Sequence, residues 1–247
     1  MLWLVAVHAV KAAVEQLCVD GLVNGVACKG VALLAHLSHY AVTSRVLGSS
    51  AWTRGYFLDP STAVARHCGG DVWGWAKDGR EYALLCLGHS TGFLDVTDGA
   101  NPVVVGHLPS PSGVLPSTWC DIKVVGRTMY KVAEAVGHGI QIFDLERMHA
   151  AAMEAAGSRA FVADGVHQLA GQSGRVHNLV ANPESGLVLA VGLYPYWSTS
   201  PVSCSTSGVY ALRANADGSL SDVGHQVESA ALAVPQRTSP ASSDRFL

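Results

Sequence analysis

The sequence predicts an all-β protein, a partial β-propeller of about three to four blades of four-stranded antiparallel sheet after a short helical N-terminal segment. Two observations predict this class. From Ser49 onward, short apolar runs alternate with Gly, Pro, Asn and Asp, which is typical of strands joined by tight turns. Three segments then repeat one order of strand, turn and strand, and they begin at Asp71, Asp121 and His177.

The repeat is clearest in two short phrases, "GFLDVTD" (92–98) and "IQIFDLE" (140–146). We interpret them as the same strand in successive blades. Asp95 and Asp144 would then begin turns, where a short carboxylate accepts hydrogen bonds from nearby backbone amides. A period of about 40 to 50 residues is typical of propeller blades, which bury their faces by stacking on neighbours. The alternative is a β-sandwich with accidental internal similarity.

Composition excludes several classes of protein. The 247 residues are 49% hydrophobic and 14% charged, with a net charge of −3. This is not the composition of a disordered chain, and no basic patch predicts a nucleic-acid partner. No apolar run approaches the roughly 20 residues of a transmembrane helix. The length suits one large domain or two small ones.

The chain divides into four predicted regions. Residues 1–17 are either a secretory signal peptide or a buried N-terminal helix, since "MLWLVAVHAV" is apolar and small residues follow. Residues 18–66 form a Cys-bracketed segment, and the range 11–40 has helix-like composition. Residues 67–228 carry the blades. Residues 229–247 are rich in Ser, Pro and Ala and predict a disordered C-terminal segment.

The six cysteines show no C-x-x-C spacing, which argues against a zinc ribbon or a thioredoxin-like site. Cys18 and Cys28 bracket "CVDGLVNGVAC", and we predict that they close a small disulfide loop. Cys86 lies within the apolar run "YALLCL" and is predicted to be a buried small side chain. Cys204 lies in a long loop, and its partner stays open.

Four segments of the chain carry a resemblance to a known family: "CVDGLVNGVACKGVALLAHL" (18–37), the first repeat at 71–109, "STWCDIKVVGRTMYKVAEAVGHGIQIFDLERM" (117–148) and "RVHNLVANPESGLVLAVG" (175–192). They resemble the choice-of-anchor B family, extracellular proteins built on LVIVD-type propeller repeats. The resemblance covers residues 18–212. It implies secretion or surface attachment and a propeller fold, and it supplies no biochemical activity.

The chain departs from the family by being shorter, with fewer blades. The resemblance therefore predicts a C-terminally truncated member. The alternatives are an incomplete gene model, closure of the propeller by oligomerisation, and a decayed protein. An open stack of three blades leaves strand edges and a blade face uncovered, which predicts self-association.

Three histidines occupy comparable loop or strand-start positions, His89, His138 and His177. Since propellers gather such positions around one end of the channel, we expect a ligand site there. A divalent metal held by Asp121, His138 and His177 is the corresponding metal hypothesis. The alternative is that these histidines bond the backbone of their own loops. Asp121 and Glu134 are candidates for paired acid–base carboxylates.

Aromatic residues are the second group of candidate ligand contacts. Tyr196 and Trp197 lie in a Pro-punctuated loop and are expected to be exposed, where they would stack on a sugar or anchor a protein. Tyr194 lies in the same loop, and Trp119 is a further member of the aromatic cluster. Trp73 and Trp75 are instead expected to pack between blades.

Together these patterns predict an extracellular, non-catalytic binding or interaction module at the cell surface or secreted. Its partner would be an extracellular protein or a carbohydrate, with no cofactor. The competing hypothesis is a metal-dependent hydrolase or lyase with a His/Asp site near the axis. A third is a truncated fragment without independent function.

Overall fold

The computed structural model describes residues 16–17, 19–23, 26–29, 32–37, 42, 69–154, 157–170, 172–195 and 208–226. These residues form mainly β-strands arranged in several separate antiparallel sheets, which confirms the predicted all-β class. No helix within these ranges is long and apolar enough to cross a bilayer.

The described N-terminal residues form two short strand pairs. The strands are β1 (Gln16–Leu17), β2 (Leu22–Val23), β3 (Val26–Ala27) and β4 (Ala32–Leu33), paired β1 with β4 and β2 with β3. The predicted helix is therefore wrong for these residues. The reason is local, because Asp20 (φ 53°) and Gly21 (φ 78°) both adopt positive φ, which makes a tight reversal between Val19 and Leu22.

The first sheet is built from five strands in the order β12-β8-β7-β6-β5. Its strands are β5 (Gly69–Lys77), β6 (Arg80–Leu87), β7 (Ser90–Asp95), β8 (Val103–Pro109) and β12 (Arg159–Ala160). The four main strands are antiparallel, and β12 joins the outer edge in parallel to β8. Asp78 and Gly79 form the turn between β5 and β6, both at positive φ.

The second sheet has the order β13-β11-β10-β9 and the third the order β14-β15-β16-β17. The second contains β9 (Cys120–Val125), β10 (Thr128–Ala133), β11 (Ile140–Asp144) and β13 (Gly165–His167). The third contains β14 (Gln172–Asn182), β15 (Leu187–Pro195), β16 (Val209–Ala214) and β17 (Leu220–Gln226). We call β5, β9 and β14 the inner strands, because they are the strands through which neighbouring sheets meet.

The two repeated phrases are equivalent strands, as predicted. β7 ends at Asp95 and β11 ends at Asp144, and each is the third strand from its inner strand. Both aspartates cap the following turn, since Asp95 accepts from the Thr97 amide and Asp144 from the Glu146 amide, each at 3.0 Å. After Asp144 the chain enters helix α1 (Leu145–Met153), which the repeat pattern does not predict.

Two apolar cores join the three sheets in series. Between the first and second sheets, Phe93 stacks on Phe143 with ring centroids 5.1 Å apart, and Phe161 packs edge-on against both. Between the second and third sheets, Tyr130, Val176 and Leu212 are fully buried. Each sheet thus buries one face or both against its neighbours, as stacked repeats do.

A disulfide between Cys86 and Cys120 joins β6 of the first sheet to β9 of the second, with the Cα atoms 6.1 Å apart. Cys86 is buried, as predicted. The sequence does not predict that its sulfur forms a disulfide with Cys120. Trp75 lies between these sheets and donates from Nε1 to the Gly126 carbonyl at 3.1 Å. Trp73 is 38% exposed, with the Lys123 ammonium 4.5 Å from its ring centroid.

Candidate ligand-binding site

The three inner strands meet at a small pocket of about 180 Å³. Its lining comes from each sheet in turn: Gly70 on β5, Trp119 and Cys120 at the start of β9, and His177 and Asn178 on β14. Gly70 is required there, because a Cβ atom at this position would lie 2.3 Å from the Thr118 carbonyl oxygen. The repeat therefore gathers equivalent positions of the three inner strands at one place.

Trp119 is the large apolar side chain in the lining of this pocket. The residue is 65% exposed, an unusual position for a side chain that prefers burial. Its backbone is held firmly, because the Trp119 carbonyl accepts hydrogen bonds from the Glu134 amide at 2.8 Å and from the Ser117 hydroxyl at 3.2 Å. An exposed indole on a fixed backbone offers a flat face to a ligand.

His177 lies beside that indole, with the two ring centroids 6.4 Å apart at an interplanar angle of 39°. Its Nδ1 contacts the Glu134 carboxylate, and the Glu134 side chain is only 15% exposed. A carboxylate at Nδ1 fixes the proton on that nitrogen in the neutral ring and leaves Nε2 as the acceptor. The imidazole is 46% exposed, so the oriented ring is accessible from solvent.

The other predicted histidines lie elsewhere. His138 is 1% exposed, and its Nδ1 is 2.9 Å from the Gly139 carbonyl, which is the backbone bonding that the alternative interpretation expected. Burial, together with the nearby Lys131 charge, lowers the pKa of His138 to about 4. His89 is half-buried in the turn between β6 and β7. Neither contributes to the pocket lining.

Asp121 serves the fold. It is buried, and its carboxylate contacts the Lys123 ammonium and accepts from the Leu179 amide at 2.7 Å. Burial, and then a hydrogen bond with Asp71, raises its pKa. In the ranges that the structure describes, no three His, Cys, Asp or Glu side chains form a group able to hold a metal ion. The predicted metal set of Asp121, His138 and His177 is therefore not brought together.

Several predicted contacts fall outside the described residues. Tyr196 and Trp197 are among them, and so is Cys18 of the predicted Cys18–Cys28 pair. Cys28 itself is disulfide-bonded.

A buried polar group between the first and second sheets was missed. Lys131 is 1% exposed, and its ammonium lies 3.4 Å from the Leu87 carbonyl. Gln141, its neighbour across β10 and β11, donates from Nε2 to the Pro109 carbonyl at 2.7 Å. Burial lowers the pKa of Lys131 to about 7. The available signal was a lone lysine in the otherwise uncharged strand "TMYKVA".

Comparison with known proteins adds no assignment. No protein-family model matches the chain. No curated protein matches it either.

Proposed function

We propose that this chain is an extracellular, non-catalytic binding module on a partial β-propeller, with its ligand in the pocket at Trp119 and His177. The observation that carries the proposal is the exposed indole beside an imidazole oriented by Glu134, at the point where three inner strands meet. Ligand sites commonly pair an apolar surface with a few fixed polar groups.

The propeller architecture is part of this proposal. Three successive antiparallel sheets, each with its first strand against the inner strand of the next, support it, because this is how blades follow one another. Membership of the choice-of-anchor B family, which the sequence resembles, is part of the proposal too. Tyr196 and Trp197 stay predicted ligand contacts of the same module.

We favour a carbohydrate as the ligand. A sugar ring carries an apolar face that packs on an indole, and hydroxyl groups that suit the Nε2 acceptor of His177. The pocket volume of about 180 Å³ suits one ring, whereas a standard protein partner covers about 800 Å² of each surface. An extracellular setting is supported by the buried Cys86–Cys120 disulfide, since such bonds persist in oxidising compartments.

The test is a glycan array probed with the purified chain, followed by titration of the best glycan. We expect Trp119→Ala to weaken binding about tenfold, a loss of about 1.4 kcal/mol, since the variant removes the apolar face on which the sugar ring packs. His177→Ala should weaken it as well. Leu115→Ala is the matched control, because it removes a residue that is 78% exposed and lies outside the pocket lining.

The results separate the alternatives. Glycan binding that Trp119→Ala leaves unchanged would refute this site. Binding of a protein that requires Trp119 would support the binding module and its site, and it would refute a carbohydrate as the ligand.

A second candidate is a hydrolase or lyase, and the His177–Glu134 contact favours it, because a carboxylate-oriented imidazole is a common general base. Turnover of the bound glycan that is lost in Glu134→Gln, with binding retained, would establish the enzyme. Stable binding without turnover supports the module.

A further inference from the structure

The inner strands are joined by one hydrogen bond that repeats. The Asp71 carboxylate on β5 accepts from the Ile122 amide on β9 at 3.1 Å. The Asp121 carboxylate on β9 accepts from the Leu179 amide on β14 at 2.7 Å. In both cases a side-chain oxygen of one sheet receives the backbone amide of the next sheet.

The positions of these residues define a series. Ile122 follows Asp121 directly, and Leu179 follows Asn178 directly. Asn178 therefore occupies in the third sheet the position that Asp71 and Asp121 occupy in the first and second. Its side-chain oxygen is an acceptor of the same reach, and it lies on an exposed residue.

The apolar packing repeats with the hydrogen bond. Ile122 and Leu179 are 0% and 1% exposed, because each presses against the preceding sheet. The equivalent residue in the first sheet is Val72, which follows Asp71 and is 56% exposed. The first sheet thus carries the donor half of the repeating contact on its open face.

A shallow groove of about 520 Å³ runs along β5 and β6, and its lining includes Val72, Gly74, Ala76, Ala83 and Val96 from the open face. The part of the face further from β5 is covered, since Leu87 and Leu94 pack against Val42. In the contacts between sheets of one copy, the inner strand of the following sheet packs on the preceding sheet, as β9 does on β5 and β6 and β14 does on β9 and β10. A sheet placed before the first sheet would therefore contact β5, and this is the part of the face that is open.

The third sheet carries the acceptor of the repeating hydrogen bond, which is the side-chain oxygen of Asn178. Val180 lies two residues after Asn178, on the same side of β14, and is 53% exposed. Val209 is in register with Val191, which pairs with Asn178, and is 41% exposed. This side faces away from the core with the second sheet, which takes Leu179 and Ala190.

We propose that these two faces bind each other between two copies of this chain. Val72 of one copy packs beside Val180 of the other, and the Asn178 side-chain oxygen accepts from the Val72 amide. The contact is head-to-tail, because the two faces are different. Two copies joined at both ends bring together six sheets, within the range of about four to eight in which propellers close.

The experiment is sedimentation velocity on the full chain across a concentration series. We expect the wild type to form dimers, and Val180→Asp and Val72→Asp each to be monomeric, because each buries an unpaired carboxylate at the contact. Both positions are exposed within one copy, so folding should survive, and circular dichroism checks this. The matched control is Val162→Asp, since Val162 is 73% exposed. This variant protein should still form dimers.

Mixing the two variants tests the direction of the contact. Each variant keeps one intact face, so an equimolar mixture of Val72→Asp and Val180→Asp should form a one-to-one heterodimer that neither forms alone. A wild type that stays monomeric throughout the series would overturn the proposal. Dimers that persist in both variants, or a mixture that stays monomeric, would overturn it as well.

Discussion

Replacing Lys131 by methionine should stabilise the protein and remove a large part of its pH dependence. Lys131 stands in β10 opposite Ile122, where the first sheet has Leu85 opposite Val72 and the third has Ala190 opposite Leu179. The neighbouring repeats thus use apolar residues at this position. Methionine has nearly the same length and shape and leaves no charge to bury.

The magnitude follows from the pKa. Burial lowers the pKa of Lys131 from 10.5 to about 7, and at about 1.36 kcal/mol per pH unit this corresponds to about 5 kcal/mol. Between these two values the unfolded chain binds the proton and the folded chain does not. The free energy of unfolding therefore rises with pH across this window, by up to about 1.4 kcal/mol per pH unit.

Below pH 7 both states are protonated, and the full penalty of the buried ammonium remains. Lys131→Met removes it, together with the hydrogen bond to the Leu87 carbonyl, which contributes about 1 kcal/mol. At neutral pH we therefore expect the variant to be more stable by several kcal/mol. Its free energy of unfolding should be nearly constant from pH 7 to 10.

Urea unfolding at half-unit pH steps measures both quantities, with tryptophan fluorescence as the signal. Lys29→Met, which changes an exposed lysine, is the matched control and should keep the wild-type slope. A wild-type curve that is flat between pH 7 and 10 would refute the reasoning. So would a variant that is less stable than the wild type at pH 7, since the amine would then be stabilising the fold.

Two further predictions concern the fold. Asp144→Ala should lower the free energy of unfolding by about 1 kcal/mol through loss of the α1 N-cap, whereas Asp144→Asn should keep the cap and lose only the ion pair with Arg127; equal losses would assign the effect to the ion pair. Replacing Cys86 and Cys120 together by alanine should cost about 3–4 kcal/mol, since the bond closes a loop with a sequence separation of 34. A thermal melt unchanged by that replacement, or by reduction of the wild type, would contradict this.

The sequence predicts what is local in this fold. The sequence predicts the strands ending at Asp95 and Asp144 because the apolar residues and the capping aspartate lie within a few residues of each other. Helix α1 was missed although it begins at that same aspartate, because the turn interpretation ended there. The N-terminal strands were missed because short apolar runs fit a helix and a strand equally well.

Features that depend on contacts between different sheets cannot be predicted from local sequence patterns. Trp119 and His177 are far apart in the chain and meet only because β9 and β14 are adjacent. The partner of Cys86 depends on the same stacking. The burial of Lys131 depends on the first sheet covering β10, and no pattern within β10 reveals this.

The pocket draws its lining from all three sheets, so the proposed ligand binding would be linked to folding. A ligand held by Trp119 and His177 touches the second and third sheets together, and Gly70 adds the first. Any separation of the third sheet divides the site. Under the proposed function, bound ligand would stabilise the stack by mass action, by about 2.7 kcal/mol at a free concentration 100 times its dissociation constant. Where the ligand is abundant, a smaller fraction of the protein would be unfolded, and the protein would persist longer.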